Sequence, residues 1–480
     1  MSELPQGWAS VFLGELGIWR GGGTPSKSKA DYWGGTIPWV SPKDMKTDLI
    51  TDTEDHITPE AIAHSATQIV PSGSILVVTR SGILRRLLPV ALAKRDVAIN
   101  QDLKALTPHP ALDSAFIAKQ LRGRSGEILS QCAKSGTTVD SIDFDRLKSF
   151  RIAIAPQQEQ LRIVTKLDSL FARTRCAREE LCRIPRLIEH YKKAILEAAF
   201  RGALTKDWRA EYAVSEVTGD TSGIDSRSGD LSPLPPKWSW TSVGALSAIS
   251  GGLTKNARRR ELEMRVPYLR VANVYTDELR LEDVQEMGCT PQELRKTALE
   301  PGDLLIVEGN GSIDQIGRVA LWDGSIPGCS HQNHLIRARP RESIVPDFLL
   351  FWMLSPFGRQ YIERVASSSS GLHTLSISKV SGLPVPLCSV EEMREITTRV
   401  RERLGDLADL AEETSRAALL LDHLDQAHLA KAFRGELVPQ DPNDEPASVL
   451  LERIRAERAA RPPARRGRRG KTATGQEVMV

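Results

Sequence analysis

The sequences Ala199-Phe200-Arg201-Gly202 and Ala432-Phe433-Arg434-Gly435 end two long amphipathic stretches, which begin near Gln157 and Val390. Within each stretch, apolar residues recur at alternating three- and four-residue spacing, which is the pattern of a coiled-coil seam. A helix of about 45 residues is about 67 Å long, so its narrow apolar stripe is too long to be buried on one small domain. We therefore expect the two helices to pair with each other.

Local signals support both helices. Pro156 suits a first helical turn, and Glu159 suits the positive end of the helix. The segment Ser389–Glu392 has the spacing of a capping box. Each closing Arg-Gly pair supplies a cation and a glycine for the C-terminal cap. Pro185 lies inside the first helix and removes a backbone donor, so we expect a kink or a short break near Ile184.

The chain also contains an internal repeat, in which segments recur at a spacing of about 230 residues. The paired segments are Leu4-Pro5-Gln6-Gly7-Trp8 with Leu234-Pro235-Pro236-Lys237-Trp238, Pro71–Val77 with Pro301–Val307, and Asn100-Gln101-Asp102-Leu103 with Gln332-Asn333-His334-Leu335. The two long helices keep the same spacing. The sequence therefore predicts one module, a globular domain followed by a long helix, that is present twice.

This repeat sets the predicted domain organisation. We expect globular domains at 1–155 and 237–388, spacer helices at 156–202 and 389–435, a linker at 203–236, and a C-terminal tail at 436–480 with a short helix at 447–460 and a disordered end. Repetition of one module favours a pseudo-two-fold axis, under which the two helices run antiparallel.

Each globular copy is predicted to be a mixed α/β domain with a curled sheet, because short β-rich runs alternate with Gly, Pro, Ser and Asp turns. The clearest predicted strands and helices are Ser74–Thr79, Val97–Leu106, Leu304–Val307 and His334–Arg339 as strands, and Ser114–Arg122 and Pro346–Arg364 as helices. The predicted fold class is therefore α/β (α+β): two similar mixed domains separated by a long antiparallel two-helix coiled coil.

Length and charge indicate a near-neutral protein of more than one domain. A chain of 480 residues is longer than a single hydrophobic core usually supports, and its 64 Lys and Arg residues nearly balance its 61 Asp and Glu residues. Basic residues cluster locally, around Arg80–Arg86, at Arg258–Arg260 and in the tail Arg461–Lys471. Such patches can bind phosphates, and a solvated surface is the alternative explanation for each of them.

Cysteine usage and hydropathy indicate the cellular compartment of the protein. The six cysteines form no C-x-x-C pair, which is typical of free thiols in a reducing compartment. No apolar run approaches the roughly 18 residues of a membrane span, and the N-terminus does not have the pattern of a signal peptide. We therefore expect a cytoplasmic protein.

Several motifs carry a resemblance to a known family. They are Gly22-Gly23-Thr24-Pro25-Ser26 followed by Tyr32–Val40, the helix opening Ala155-Pro156-Gln157-Gln158-Glu159-Gln160, the two Phe-Arg-Gly endings, and Asp441-Pro442-Asn443-Asp444-Glu445-Pro446-Ala447. In this order and with this duplication, the sequence resembles the specificity subunits of type I restriction-modification systems over nearly its whole length. The second copy departs from the pattern, since Gly251-Gly252-Leu253-Thr254-Lys255 replaces the full Gly-Gly-Thr-Pro-Ser stretch.

The resemblance implies two target recognition domains, each reading one half of a split site in double-stranded DNA. It also implies a complex with two adenine methyltransferase (modification) subunits and with restriction/translocase subunits. S-adenosylmethionine, ATP and Mg are expected on those partner subunits, and no cofactor is expected in this chain.

Catalytic and metal-binding motifs are not found in the sequence itself. His331 and His334 lie three residues apart, but no carboxylate or thiol cluster accompanies them. A polar edge facing DNA, or a core position for one of the two histidines, is favoured over a metal site. We expect the chain alone to catalyse nothing and to hold no metal.

Sequence readout requires side chains that match base edges, namely Arg or Lys for guanine and Asn or Gln for adenine, while Lys, Arg, Ser and Thr also contact phosphates. The candidate DNA-binding residues lie in predicted loops or at strand ends: Lys43, Arg80, Arg85, Gln101, Lys134 and Thr138 in the first domain, and Lys255, Arg258, Arg259, Asn273, Asn310, Gln332, Asn333, Ser369 and His373 in the second. The alternative function is a structural adaptor with two protein-binding domains on a coiled-coil spacer.

Overall fold

The computed structural model describes residues 4–134, 140–212, 214–369 and 372–460. It divides into two compact units, one formed by Met1–Glu180 with Ala417–Val480 and the other by Leu181–Arg416. No helix in the described ranges is long and apolar enough to span a membrane.

The first domain combines short strands with short helices. Its strands are β1 (Ala9–Phe12), β2 (Gly17–Gly21), β3 (Trp33–Val40), β4 (Leu49–Ile50), β5 (His56–Ile57), β6 (Ile69–Val70), β7 (Ile75–Val78), β8 (Val90–Ala93), β9 (Val97–Ile99), β10 (Leu103–Pro108), β11 (Ala133–Lys134), β12 (Ser141–Ile142) and β13 (Arg151–Ile154). Its helices are α1 (Pro59–His64), α2 (Ser114–Gly123), α3 (Ser125–Cys132) and α4 (Phe144–Lys148), with 3-10 turns at Leu13–Glu15, Ala30–Tyr32 and Gly82–Arg85.

Three helices follow, α5 (Gln157–Leu181), α6 (Ile184–Phe200) and α7 (Lys206–Glu211). The strands of the second domain are β14 (Ser239–Ser242), β15 (Ser247–Gly251), β16 (Arg265–Leu269), β17 (Val274–Tyr275), β18 (Glu278–Leu279), β19 (Gln285–Gly288), β20 (Leu304–Val307), β21 (Gly309–Asn310), β22 (Val319–Leu321), β23 (Ser330–His331), β24 (Leu335–Pro340), β25 (Ser367–Ser369), β26 (Leu372–Thr374) and β27 (Pro384–Leu387). The remaining helices are α8 (Val243–Leu246), α9 (Pro291–Thr297), α10 (Pro346–Leu354), α11 (Pro356–Val365), α12 (Ile377–Ser381), α13 (Val390–Phe433) and α14 (Ala447–Ala460).

The two domains share one sheet topology. In the first, the central sheet has the order β2-β10-β7-β8-β4, and in the second the order is β15-β24-β20-β22. In each domain the first strand pairs antiparallel with the last, β1 with β13 and β14 with β27. The predicted fold class, two similar mixed α/β domains with long helices and an internal repeat, is confirmed.

The structure corrects the register of the repeat around the central strand. The sequence comparison paired Pro71 with Pro301, but the left-handed turn before the strand is Gly73 (φ +81°) in one domain and Gly302 (φ +91°) in the other. The strand partners agree, because Leu103 faces Val78 and Leu335 faces Val307. The two domains are therefore offset by one residue relative to the sequence alignment in this segment.

Three predicted elements are divided in the structure. The predicted strand over 97–106 is interrupted by a turn between β9 and β10, in which the Leu103 N–H donates to the Asn100 carbonyl (3.3 Å). The predicted helix over 346–364 is two helices, because Pro356 starts α11 after the cap Ser355. The first spacer helix breaks between α5 and α6 at Pro185, as predicted. The segment predicted as a linker also contains α7.

In the first unit, α5 lies beside the C-terminal part of α13. The Thr174 hydroxyl donates to Asp425 (2.9 Å), and Arg178, one turn further along α5, donates to both Asp422 and Asp425 (2.8 Å each). The contacts move backwards along α13 as they move forwards along α5. The two helical segments are therefore antiparallel in this unit.

The C-terminal helix α14 completes the core of the first domain. Leu450, Leu451 and Ile454 are buried in the same apolar cluster as the central strands. The Ala447 N–H donates to the Gly7 carbonyl (2.8 Å) at the start of α14. The tail therefore contributes to the folded domain, although the sequence predicted only a short charged helix.

Each domain is joined to its own long helix by a buried Trp–Glu hydrogen bond. The Trp8 indole Nε1 donates to Glu159 (3.1 Å) in the first turns of α5. The Trp238 indole Nε1 donates to Glu392 (2.9 Å) at the same place in α13. Both tryptophans come from the repeated Leu-Pro-x-x-Trp segment. The two modules therefore share a tertiary contact between the start of the domain and the start of the following helix.

The two glutamates differ in their remaining partners. Glu392 also accepts from the Thr205 hydroxyl (2.8 Å) and from Arg209. The second carboxylate oxygen of Glu159 is buried and has no hydrogen-bond partner within the described residues. Burial is the main cause that raises the pKa of Glu159 above its ordinary value.

We expect Leu450→Ala to lower the free energy of unfolding of the first unit by about 2–5 kcal/mol, because it leaves a cavity in a packed core. The neighbouring Val449 is 44% exposed, so Val449→Ala is the matched control and should change stability by less than about 0.5 kcal/mol. Hydrogen exchange across a urea series, followed separately in peptides of each unit, measures this. Equal effects of the two variants would contradict the structural role of α14.

We expect Glu159→Gln and Glu392→Gln to have opposite effects on stability. Because folding raises the pKa of Glu159, its ionised form destabilises the fold at neutral pH, and this penalty disappears as the pH falls through the folded pKa towards about 4. Glu159→Gln should therefore maintain or raise stability at pH 7 and flatten its dependence on pH. Glu392→Gln should cost on the order of 3 kcal/mol, because it leaves Arg209 without its charged partner. Urea unfolding at pH 5 and pH 7 tests both changes, and a loss of stability in Glu159→Gln at pH 7 would refute the explanation.

Candidate nucleic-acid interface

In the first domain, two loops cross directly beside the end of the central sheet. The Gly23 N–H donates to the Ile99 carbonyl (2.9 Å). A Cβ on Gly22 would lie 1.9 Å from the Asn100 carbonyl oxygen, so only glycine fits at this crossing. The crossing brings the exposed Thr24 to Gln101, and the Thr24 hydroxyl donates to the carboxamide oxygen of Gln101.

The second domain repeats this crossing. The Leu253 N–H donates to the His331 carbonyl (2.7 Å), and the Asn333 N–H donates back to the Leu253 carbonyl (3.1 Å). A Cβ on Gly252 would lie 2.1 Å from the His331 carbonyl oxygen. The half-buried Gln332 and Asn333 therefore occupy the turn that Asn100 and Gln101 occupy in the first domain.

A small edge sheet lies beside each crossing. In the first domain, Arg80 forms a bridge with Ser141, and Ser141 pairs with Lys134. The Thr79 N–H donates to the Asp102 carbonyl (2.7 Å), which ties this edge to the turn that carries Gln101. Four predicted residues of the first domain, Arg80, Arg85, Gln101 and Lys134, are thereby brought to one end of the sheet.

The second domain forms a corresponding edge from β21, β26 and β25. Asn310 faces His373 in the pairing of β21 with β26, and Ser369 faces Leu372 in the pairing of β25 with β26. The Glu308 N–H donates to the His334 carbonyl (3.0 Å), so this edge is also tied to the turn. Asn310, Ser369 and His373 are therefore close in the strand register, next to the turn of Gln332 and Asn333.

Most of the predicted cations of the first domain are held in ion pairs. Lys43 contacts Glu54 (2.7 Å) and Asp55 (3.0 Å), and these bonds raise the pKa of the lysine. Lys43 sits in a different loop from the crossing. The other pairs are Arg85 with Asp140 (2.8 Å) and Lys134 with Asp143 (3.0 Å). Lys134 is the main cause that lowers the pKa of Asp143. Exposed pairs of this kind contribute little to stability, so their cations can exchange a carboxylate for a phosphate.

The predicted cations of the second domain are placed differently. Lys255 and Arg258 are exposed on the segment that follows the crossing, but Arg259 is buried. Arg259 donates to the Thr254 carbonyl (2.6 Å) and the Gly288 carbonyl (3.0 Å), and it pairs with Glu293 (2.8 Å). The guanidinium of Arg259 therefore holds the domain together, which corrects its prediction as a DNA contact.

The prediction of Asn273 as a DNA contact is also corrected, because its side chain is buried and bonded within the domain. It is 3% exposed, its carboxamide oxygen accepts from the Arg270 N–H (2.9 Å), and its amide donates to the carbonyls of Arg280 (2.8 Å) and Asp283 (3.1 Å). Every polar atom of this side chain serves the local loop. Thr138 lies outside the described residues.

The two histidines lie in different environments, since His331 is a core residue and His334 is exposed. His331 is fully buried, its Nδ1 lies 3.1 Å from the Thr297 carbonyl, and burial lowers its pKa to about 4. His334 is exposed and contacts Glu308 (3.1 Å). No group of three or more potential metal ligands is present in the described part of the chain.

Sequence reasoning missed Thr24 and Ser141 as members of this surface. The signal that could have identified Thr24 is the Gly22-Gly23 pair before it, because such a pair permits a close backbone crossing. For Ser141 no local signal existed, because its position depends on the pairing of Arg80 across the edge of the sheet.

We expect Arg259→Ala to destabilise the second domain by about 2–3 kcal/mol, since it leaves the buried Gly288 carbonyl and Glu293 without a donor. Arg258→Ala is the matched control, because Arg258 is exposed in the same turn and its replacement should leave stability within about 0.5 kcal/mol. Faster amide exchange in α9 of the Arg259 variant alone is the expected measurement. Unchanged exchange in that variant would show that Arg259 is not a structural residue.

Comparison with known proteins shows which proteins the chain resembles. The sequence model of the "Type I restriction modification DNA specificity domain" matches residues 5–186. The specificity subunit of the type I restriction enzyme EcoR124I/EcoR124II of Escherichia coli is 45% identical over 182 residues, which are 38% of this chain and 44% of that relative. The EcoKI specificity subunit of Escherichia coli K12 is 26% identical over 95% of this chain and 97% of its own length.

Solved structures show the same fold. The chain superposes with a TM-score of 0.62 on a subunit from a study of complex assembly and conformational transition of a type I restriction-modification system, with 19% identity, 91% of this chain covered and 100% of the other. The HsdS subunit from Thermoanaerobacter tengcongensis gives a TM-score of 0.56, with 20% identity over 90% of this chain and 98% of that one. The chain is therefore similar in sequence to the DNA specificity subunits of type I restriction-modification systems, and residues 5–186 match their DNA specificity domain.

Proposed function

We propose that each domain reads one half of a split DNA site through its loop crossing and the adjacent edge sheet. The observation that supports this is the recurrence of one scaffold with different polar side chains. Gly22 and Gly252 make the same crossing, but Gln101 and Arg80 accompany it in one domain, and Asn333, Asn310 and His373 in the other. Two similar scaffolds with different polar surfaces suit two different base sequences.

The two sets of side chains have separate tasks in this proposal. Carboxamides and exposed guanidinium groups can make bidentate contacts with base edges in the major groove. Exposed lysines and arginines such as Lys134, Lys255 and Arg258 contact phosphates, which fix the register of the protein on DNA and make binding depend on salt. The near-neutral total charge of the chain is compatible with this, because the contacts depend on local patches.

We further propose that the chain acts in the cytoplasm as a non-catalytic member of a larger complex. Two methyltransferase subunits would bind with it and carry S-adenosylmethionine, and restriction subunits would carry ATP and Mg. The charged faces of α5 and α13 offer a surface for such partners. This chain would supply the choice of DNA sequence, and the partners would supply the chemistry.

The test uses the full chain assembled with its methyltransferase subunits and a library of DNA duplexes. Mapping of methylated adenines should give a motif of two short specific parts separated by an unspecific gap. Binding should weaken steeply as salt increases, and the chain alone should transfer no methyl group. A single continuous motif would contradict the proposal, and equal methylation of all sequences would favour a structural adaptor.

A further inference from the structure

The turn beneath each crossing carries carboxamides at two equivalent positions, the second and the third residue. In the first domain the turn runs from Ile99 to Leu103, and in the second from His331 to Leu335. The third residue of the turn is Gln101 in one and Asn333 in the other. The second residues, Asn100 and Gln332, are also carboxamides, but Asn100 is buried and its side chain bonds to Asp102 (3.2 Å to the carboxylate and 3.0 Å from the backbone N–H), so only at the third position is the amide donor of a carboxamide available in both turns.

Backbone hydrogen bonds establish this equivalence without reference to sequence. In each turn, the N–H of the last residue donates to the carbonyl of the second residue, at 3.3 Å from Leu103 to Asn100 and at 2.9 Å from Leu335 to Gln332. In each domain, a backbone N–H of the crossing segment, that of Gly23 or Leu253, donates to the carbonyl of the first residue of the turn. Gln101 and Asn333 are therefore at the same point of the same structure.

The residue that crosses above each carboxamide is also equivalent. Thr24 follows Gly22-Gly23 by one residue, and Thr254 follows Gly252-Leu253 by one residue, and both threonines are exposed. The Thr24 hydroxyl donates to the Gln101 carboxamide oxygen, which orients the amide. The Gln101 amide has one further contact, a long one to Asp102 (3.5 Å), so its donor remains available.

The surroundings of Asn333 lead to the same conclusion. Its backbone is fixed by the bond from its N–H to the Leu253 carbonyl (3.1 Å). Within the described residues its carboxamide makes no hydrogen bond. Arg259 and Asn273, whose polar groups are consumed inside the domain, show the contrasting case. A carboxamide that stands on a fixed backbone with both polar atoms free is suited to pairing with a base.

We infer that Gln101 and Asn333 are equivalent specificity-determining residues, each reading an adenine in its own half-site, and that Thr24 is a positioning residue for Gln101. A carboxamide accepts from the adenine amino group and donates to the ring nitrogen N7, a pair of contacts that no other base offers in the same arrangement. This inference rests on the proposed reading of DNA by the two domains, and it adds which side chain reads which base.

The test replaces each carboxamide with the carboxylate of the same shape. In the assembled complex with its methyltransferase subunits, Gln101→Glu should lose the preference for adenine at one position of the first half-site by roughly 5- to 150-fold. Because a carboxylate can only accept, cytosine with its amino donor should become favoured there. The second half-site should be unchanged. Asn333→Asp should give the reciprocal result.

Two further variants separate base reading from general weakening. Thr24→Val keeps the shape but removes the hydroxyl, so discrimination at the Gln101 position should fall while the rest of the motif is kept. Lys134→Gln should weaken methylation of all sequences alike. Amide exchange of each variant confirms that the domain is folded.

The outcomes distinguish this inference from the function on which it rests. If the unaltered complex gives a two-part motif and Gln101→Glu changes no base preference in a folded domain, the inference is wrong and the proposed function stands. If the unaltered complex gives no two-part motif, the proposed function fails first. A loss of preference in both half-sites from one substitution would also overturn the assignment.

Discussion

The buried Trp–Glu hydrogen bond determines how each module is built. A tryptophan near the start of the domain and a glutamate in the first turns of the following helix are about 150 residues apart, and their meeting closes the domain into one body. A buried carboxylate is expensive unless donors reach it, so the position of the helix is strongly constrained. Thr205 and Arg209 complete this arrangement at Glu392, whereas Glu159 depends on the indole alone.

A second constraint produces the polar surface. Glycine at the loop crossing lets two backbones approach more closely than any side chain allows, and the hydrogen bonds formed there fix the turn. The third residue of each turn, Gln101 or Asn333, belongs to none of the apolar core clusters, although the turn ends on the buried Leu103 or Leu335. The identity of this third residue can change without a cost in packing, which is the physical condition for one fold to present different surfaces.

Sequence patterns predicted those features that depend on local chemistry or periodicity. The helices α5 and α13, the break at Pro185 and the duplicated module follow from spacing and from proline. Features that depend on contacts distant in sequence were not predictable. The burial of Arg259 arises from carbonyls and a carboxylate supplied by other segments, and the role of α14 arises from an apolar face that completes a core formed by residues hundreds of positions earlier. The one-residue error in the repeat register arose because the sequence comparison paired Pro71 with Pro301 by identity. In the structure, the equivalent residues are Gly73 and Gly302, which both adopt a left-handed conformation.

The interior of the second domain shows that the two copies can diverge beneath the surface as well. His331 and Arg337 are buried where the first domain has Ile99 and Ala105 at the equivalent strand positions. Arg337 donates to the Ala298 carbonyl (2.7 Å), so the polar group is tied to a segment beyond the sheet. Despite this exchange of apolar for polar contacts, the turn above keeps its hydrogen bonds and its glycine crossing. The turn therefore depends on backbone geometry at the crossing more than on the composition of the core below it, and two domains with different interiors keep the same turn.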